Sequence, residues 1–518
     1  SPQRAWPQAG GNERNSFQSP YAAPVADELL AKWRVGTNEG GQFKGLIVGQ
    51  GNTILATADS PPSLWKINKF GDVRGRLEFE NETAGITAPV QNSMGEIFVG
   101  FSSGRIYRID SALRFTLVFS EPSNAPISPG SLAVDEDDEL YFRTEGENGR
   151  VYKVSRTGEP RWEAAVGLSN SDSIAINNAR ERVYCSFFSF ATAEGYLLAL
   201  DAGTGSQAGR FTTPAEGPVT MAISAPSIDQ DGNVFVSIAG GLAKLDWNLR
   251  LLESRRDLSL PAQIPAPPLV PVIGNRGNIL FPHLMTDAEG RPQQAVSSLD
   301  SATLSTRWVW SQPADSMGFV AGQAYSAIND VVLVSFWRLP EGPARPEGDT
   351  QVIALRDLGN SATELWTHYR RRGYSYGLAG GAGATVYLYG AVPDAQGRFI
   401  YAFSEGRRGN PREAGGNYLN NTAPGAASGP SPADGSLGVE EDPEPEPEDC
   451  GNGIDDDRDG QTDCADAECT DSPLCDGAIP EVCDNNRDDD LDGDVDCLDD
   501  DCDTDPFCVG PGIEICEN

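Results

Sequence analysis

Two stretches near the end of the chain space carboxylates as hard cations require. The first runs Asp455, Asp457, Asp459, Gly460, Gln461, Asp463 and Asp466; the second runs Asp488, Asp490, Asp492, Gly493, Asp494, Asp496 and Asp499. In an EF-hand-like loop, oxygens at positions one, three, five, nine and twelve surround one ion, with a backbone carbonyl at seven and glycine at six for the sharp turn. Gln461 and Asp494 fall at position seven, and Gly460 and Gly493 at six. Oxygen donors without nearby histidine point to calcium rather than zinc or copper. Asp at position twelve is shorter than the usual Glu, which limits two-oxygen coordination. The competing reading, acidic side chains merely solvated on a disulfide scaffold, leaves glycine at position six of both loops without a reason.

Cysteines frame these loops. Cys450, Cys464, Cys469 and Cys475 recur 33 residues later as Cys483, Cys497, Cys502 and Cys508, and Cys516 lies 33 beyond Cys483. Residues 450–518 thus hold two complete repeats and the start of a third, Glu514-Ile-Cys516 matching Glu481-Val-Cys483, so the native array is expected to continue. Regular cysteines in so acidic a segment imply disulfides and an oxidising compartment, with the pairings left open. No flanking segment is long enough for the helices of a true EF-hand, so the cysteines must supply the rigidity. Residues 407–449 lose all periodicity and end in Glu440-Glu-Asp-Pro-Glu-Pro-Glu-Pro-Glu-Asp449, an extended, charge-stiffened linker.

The formal net charge is −37, and the segment from Glu440 onward carries 31 acidic residues against Arg458 and Arg487. The acidity is therefore local. No basic stripe is available to neutralise phosphates, which argues against a nucleic-acid partner. No apolar run approaches the roughly 18 residues of a membrane-spanning helix. The start, Ser1-Pro-Gln-Arg4, fits a mature product after signal removal, and the expected location is secreted, extracellular or cell-surface.

Between residues 30 and 406 one unit recurs: apolar strand, tight turn, second apolar strand, third strand ending in a polar residue. The third strands end at Asn68, Asp110, Ser155, Asp201, Asp246, Asp300, Arg356 and Ser404, spaced 42, 45, 46, 45, 54, 56 and 48 residues apart. That interval suits a four-stranded blade. Hairpin signals precede each: Gly51-Asn52, Met94-Gly95, Glu136-Asp137, Asn177-Asn178, Asp231-Gly232, Gly277-Asn278, Asn329-Asp330 and Ala382-Gly383. The eighth unit lacks an outer strand, whereas the Trp33 strand stands before the first unit without an inner one. The prediction is an all-β, eight-bladed β-propeller closed by an N-terminal strand, preceded by an extension over 1–29 and followed by the disulfide and metal repeats.

Leu198-Ala-Leu-Asp-Ala-Gly-Thr-Gly205 and Thr157-Gly-Glu-Pro-Arg-Trp162 resemble the quinoprotein-type (PQQ-like) repeat propellers, which include quinone-dependent dehydrogenases and non-enzymatic envelope scaffolds. The enzymes typically carry an adjacent cysteine pair beside the cofactor; this propeller has only Cys185, and a Cys-x-x-Cys-His haem motif is absent. The tail resembles Asp/Cys-rich repeats of secreted myxobacterial surface proteins and shares its chemistry with thrombospondin type 3 repeats.

Remaining candidates are weighed against plainer roles. Extra residues at Ser186–Gly195, Pro282–Gln294, Trp337–Thr350 and Gly390–Arg398 read as loops on the face that carries the connections between blades, the expected contact surface. On that face Arg370, Arg371 and Arg372 could meet carboxylates, including the acidic tail of another copy, or simply be solvated. His283 and His368 have no nucleophile at catalytic spacing and read as structural. Trp33, Trp162, Trp308 and Trp366 read as packing between blades, with carbohydrate stacking the alternative. Asn81-Glu-Thr83 and Asn420-Asn-Thr422 are weak glycosylation patterns. The expected protein is a non-enzymatic, calcium-stiffened scaffold or adhesion protein that contacts itself or another surface protein, self-contact of head-to-tail type giving a filament. An envelope enzyme or ligand receptor with its site in the propeller channel is the alternative.

Overall fold

The structure, a computed structural model, describes most of residues 12–405; stretches such as 168–173, 213–222, 259–269, 313–318, 339–348 and 392–397 lie outside the description, as does all of 406–518. The linker, both Asp-rich loops and every tail cysteine therefore fall outside the described residues.

Eight antiparallel sheets make up the described chain. Each reads inner, second, third and outer strand in chain order, as in blade 1 with Phe43–Val48, Ile54–Asp59, Pro62–Ile67 and Val73–Glu78. Inner and second strands are the most buried, for example Ala175–Asn177, Leu140–Arg143 and Val234–Ile238 without an accessible residue, because both of their faces pack on neighbouring blades. Consecutive order is broken twice, by a parallel strand from near the N-terminus added to the seventh sheet and by the outer strand of the eighth sheet. There Leu29–Thr37 pairs antiparallel with Arg398–Glu405, Val35 opposite Ile400, so the N-terminal strand completes the last blade as expected.

In blades 1 to 6 the polar residue that ends the third strand has a local task, and in blade 7 Asp357, one residue past the expected Arg356, takes it by accepting the Gly359 amide. Asn68 Oδ1 accepts the amides of Phe70 and Asp72, Asp110 Oδ1 those of Ala112 and Arg114, and Asp300 Oδ1 those of Ala302 and Thr303. These side chains close the turn into the outer strand and satisfy amides that no ladder reaches. A register shift recurs one step earlier, at Lys66/Ile67, Lys153/Val154, Ala199/Leu200, Lys244/Leu245, Ser298/Leu299 and Ala354/Leu355. A bulge there adds the twist that swings each outer strand away from the axis.

Two readings of turns and loops need correction. The third blade turns at Asp138 rather than Asp137, and the fourth inserts a 3-10 turn over Asn178–Arg180 before Glu181, which takes the left-handed conformation. Part of the extra residues of the later blades is strand, while 190–193, 287–291, 339–348 and 392–397, where the loops were expected, lie outside the described residues. In blade 6, Asn278–Thr286 pairs with Pro292–Asp300 through Thr286 opposite Pro292; in blade 7, Val331–Arg338 pairs with Asp349–Asp357 through Arg338 opposite Asp349. Extending the hairpin satisfies backbone groups that a long loop would leave to water.

Tryptophans of the outer strands join blades. The Trp33 indole N–H donates to Lys69 O at 2.9 Å in the third-to-outer turn of blade 1, and Trp162 donates likewise to Ala202 O at 2.9 Å in blade 4. Each ring lies on a glycine of that turn, and a Cβ on Gly71 or Gly205 would stand 2.5 Å from it. Trp308 donates to Asp357 Oδ1 in blade 7. All three are at most 8% exposed, which places them as packing between blades.

Candidate functional site

The inner strands run toward one end of the channel and turn there into the second strands. At this end the residues read as a plain extension enter the fold. From Arg14 to Tyr21 the segment crosses the inner strands of three consecutive blades: Ile228 N–H donates to Arg14 O at 3.0 Å, Ile273 N–H to Ser16 O at 3.0 Å, and Ser326 N–H to Phe17 O at 2.9 Å. Gln18–Ser19 then adds as a parallel strand beside Ser326–Ala327, giving blade 7 a fifth strand on its channel side. The arm therefore lies in the lumen.

Side chains anchor it. Phe17 is 6% exposed and belongs to the main apolar cluster, with φ of 54° that turns its ring out of the line of the strand. Ser19 rests on the inner strand of blade 8 at Gly380, where a Cβ would stand 2.6 Å from the Ser19 hydroxyl. Asparagines of the inner-to-second turns hold the rest. Asn275 Oδ1 accepts from Gln18 Nε2 at 3.4 Å; Asn329 accepts from Ala23 N–H at 3.0 Å and donates to Ala23 O at 2.9 Å; Asn52 accepts from the Tyr21 hydroxyl. Finally the Trp366 indole donates to Pro24 O at 2.8 Å. Because its outer strand comes from the N-terminus, blade 8 has no third-to-outer turn, and the arm supplies the carbonyl that this turn offers elsewhere.

Sequence reading singled out none of these residues for a site. Asn52 and Asn329 were noted only as turn formers, and the arm, short and polar, alternates too little to read as a strand. The sites that were singled out are dispersed. Asp455, Asp457, Asp459, Gln461, Asp463, Asp466, Asp488, Asp490, Asp492, Asp494, Asp496 and Asp499 lie outside the described residues, as do Arg371 and Arg372; Arg370 ends the outer strand of blade 7. His283 is buried and bonded through Nε2 to the Ser297 hydroxyl at 2.8 Å, and His368 packs on Phe403 with ring centroids 4.4 Å apart. Cys185 is fully buried on the second strand of blade 4, and burial pushes its thiol up to about 12. A buried thiol of that kind does not replace an adjacent cysteine pair against a quinone, so the residues present do not fit that cofactor site.

The arrangement is matched elsewhere at the level of the fold. A family profile described as outer membrane protein assembly factor BamB matches residues 31–268, which supports a PQQ-like repeat propeller. The quinohemoprotein alcohol dehydrogenase of Comamonas testosteroni aligns with TM-score 0.55 at 13% identity, covering 79% of this chain and 82% of that one. A second quinohemoprotein alcohol dehydrogenase, ADHIIG of Pseudomonas putida HK5, gives TM-score 0.54 at 11% identity, covering 77% and 80%. The C-terminal WD40 domain of Sif2 gives 0.51 at 10% identity, covering 75% and 99%. No curated protein matches the chain. At such identities the likeness establishes the fold alone. It does correct one expectation: solved structures that share this fold include enzymes, so the chain cannot be set apart as non-enzymatic.

Proposed function

We propose that this chain is a secreted propeller that makes protein–protein contacts, among them contacts between its own copies, and that its Asp-rich repeats bind calcium and stiffen the tail that spaces it outside the cell. The observation that carries the reading is the lumen: a peptide segment already occupies one end of the channel through backbone hydrogen bonds to three inner strands. An inner rim that binds extended peptide is a protein-binding surface in its own right. The family profile matched by residues 31–268, named for an assembly factor, supports the same class of role. Calcium is supported by the loop spacing of Asp455 to Asp466 and Asp488 to Asp499, whose oxygens would hold the ion.

Light scattering of the full chain with calcium and with a chelator, together with direct imaging, tests the proposal. Calcium-dependent assemblies are expected, with calorimetry showing calcium uptake that is lost in Asp459→Asn and Asp492→Asn. A monomer under both conditions overturns self-contact, and absence of calcium binding overturns the tail assignment.

A second reading, an enzyme or ligand receptor with its site in the channel, draws on the fold shared with the quinohemoprotein alcohol dehydrogenases. Its ligand would enter from the face opposite the arm. A small molecule retained by the purified protein, found by mass spectrometry after denaturation, would favour it.

A further inference from the structure

We infer that the groove holding the arm is a strand-acceptor site that also takes the arm of a second copy of this chain, so that neighbouring propellers are joined by exchanged N-terminal segments. The inference rests on the self-contact reading and gives it a mechanism. The partner is fixed by the groove itself. Ser19 fits because Gly380 has no side chain, Phe17 fills an apolar site, and the Asn329 amide grips Ala23 from both sides. The fit at positions 17 and 19 favours the side chains that this arm carries, while Asn329 holds the backbone at Ala23 in register.

The arm is also separable from the blades it seals. Its bonds go to blades 5, 6 and 7, to Asn52 of blade 1 and to Trp366, whereas the chain that follows it, Leu29–Thr37, belongs to blade 8. Only residues 26–28 lie between Val25 and that strand. Withdrawing the arm leaves ring closure through Leu29–Thr37 intact. An arm from another copy restores each bond with the same donors and acceptors, so the closed and exchanged forms differ mainly in linkage, the condition under which swapping costs little. Donor arm and acceptor groove are different surfaces, and one-way exchange between them does not close on itself; it propagates as a filament.

Two single variants of the full chain test this, Gln18→Cys and Asn275→Cys, one of them 15N-labelled, mixed under assembling conditions and then oxidised. The native side chains are in contact at 3.4 Å, so a disulfide forms only where arm meets groove. In the mixture it can form only between copies. Peptide mapping is expected to find a mixed-isotope link between positions 18 and 275, and the double variant is expected to give a covalent ladder on a non-reducing gel. Assemblies whose double variant closes only within one chain, with no link in the mixture, overturn exchange and leave self-contact standing. Absence of assembly by light scattering removes both. Gly380→Val adds an independent arm: it is expected to abolish assembly while circular dichroism keeps the β signature, and unchanged assembly would count against the groove.

Discussion

Blades 1 to 3 and blades 5 to 7 solve one problem, holding neighbouring inner turns together at the arm end of the channel, in different ways. In the first group side chains reach from turn to turn: Gln50 Nε2 donates to Ser93 O at 2.8 Å, and Asp138 Oδ1 accepts from Ser93 N–H at 2.7 Å. One ion pair reinforces them, Glu96 of blade 2 with Arg156 of blade 3 at 3.2 Å, while Glu96 with Arg108 at 3.3 Å and Glu139 with Arg161 at 2.9 Å brace their own blades. In the second group the arm adds a strand across the turns, beside side-chain links like those of the first group, Arg276 with Asp330 at 2.7 Å and Asn275 Nδ2 to Ala327 O at 2.5 Å. The blades differ accordingly: the second strand of blade 3, Leu140–Arg143, has 4 residues, and that of blade 7, Val331–Arg338, has 8. Short contacts between neighbours are local, polar and exposed to salt; a shared strand is non-local and buried. The same repeat thus tolerates either seam, and only the second makes half of the ring depend on a distant part of the chain.

Removing residues 1–25 breaks the comparison most sharply. Burial of Phe17 together with the lost backbone bonds is worth on the order of 5 kcal/mol. Hydrogen exchange is expected to speed up at Ile228, Ile273 and Ser326 and to stay unchanged at Gly95 and Asp138; uniform loss of protection would show that the two halves do not behave separately. Trp33→Ala comes next, at about 4 kcal/mol, because it removes a buried ring that links blade 8 to blade 1. Its cost, read from denaturant unfolding, should be shared by both groups of blades. Trp366→Phe keeps an aromatic ring but loses the bond to Pro24 and part of the buried indole, so about 2 kcal/mol is expected, confined to the second group.

Glu96→Gln should cost less than about 1 kcal/mol and vanish in high salt, since its arginine partners are partly exposed. A salt-independent loss would show that the first seam does not rest on ion pairs. The smallest effect concerns acid. The Arg307 guanidinium holds the Asp300 carboxyl down to about 2, below its unfolded value, so the stability that it adds is present above pH 4 and is lost as pH falls through about 2. The Thr303 amide, which Asp300 accepts, should keep its exchange protection at pH 3.5 and lose it progressively below pH 3.

Legibility followed the range of the interaction. Blade count was readable because in blades 1 to 6 the third strand ends in an acceptor that caps its own turn within a few residues, as Asp110 and Asp300 do. Ring closure was readable because a missing outer strand at one end matched a spare one at the other. The long hairpins of the later blades were not. Pro282, lacking an amide, suggests a loop, yet it sits opposite Val296 in a regular ladder. The arm was invisible for a deeper reason: its local bonds, such as Ser16 and Arg14 amides to Asn12 Oδ1, are those of any polar turn, while the contacts that place it lie hundreds of residues away, and the turn asparagines that grip it look like those that merely form turns.

The indole of Trp366 meets a carbonyl 342 residues before it, and Asn329 grips Ala23 across 306. Neither bond can form until the seventh blade has been synthesised, so Ala23 and Pro24 wait for partners made long after them. Tyr21 can meet Asn52, and Arg14 can meet Ile228, before that, so the arm is seated in stages and its last bonds close only when blade 7 is present.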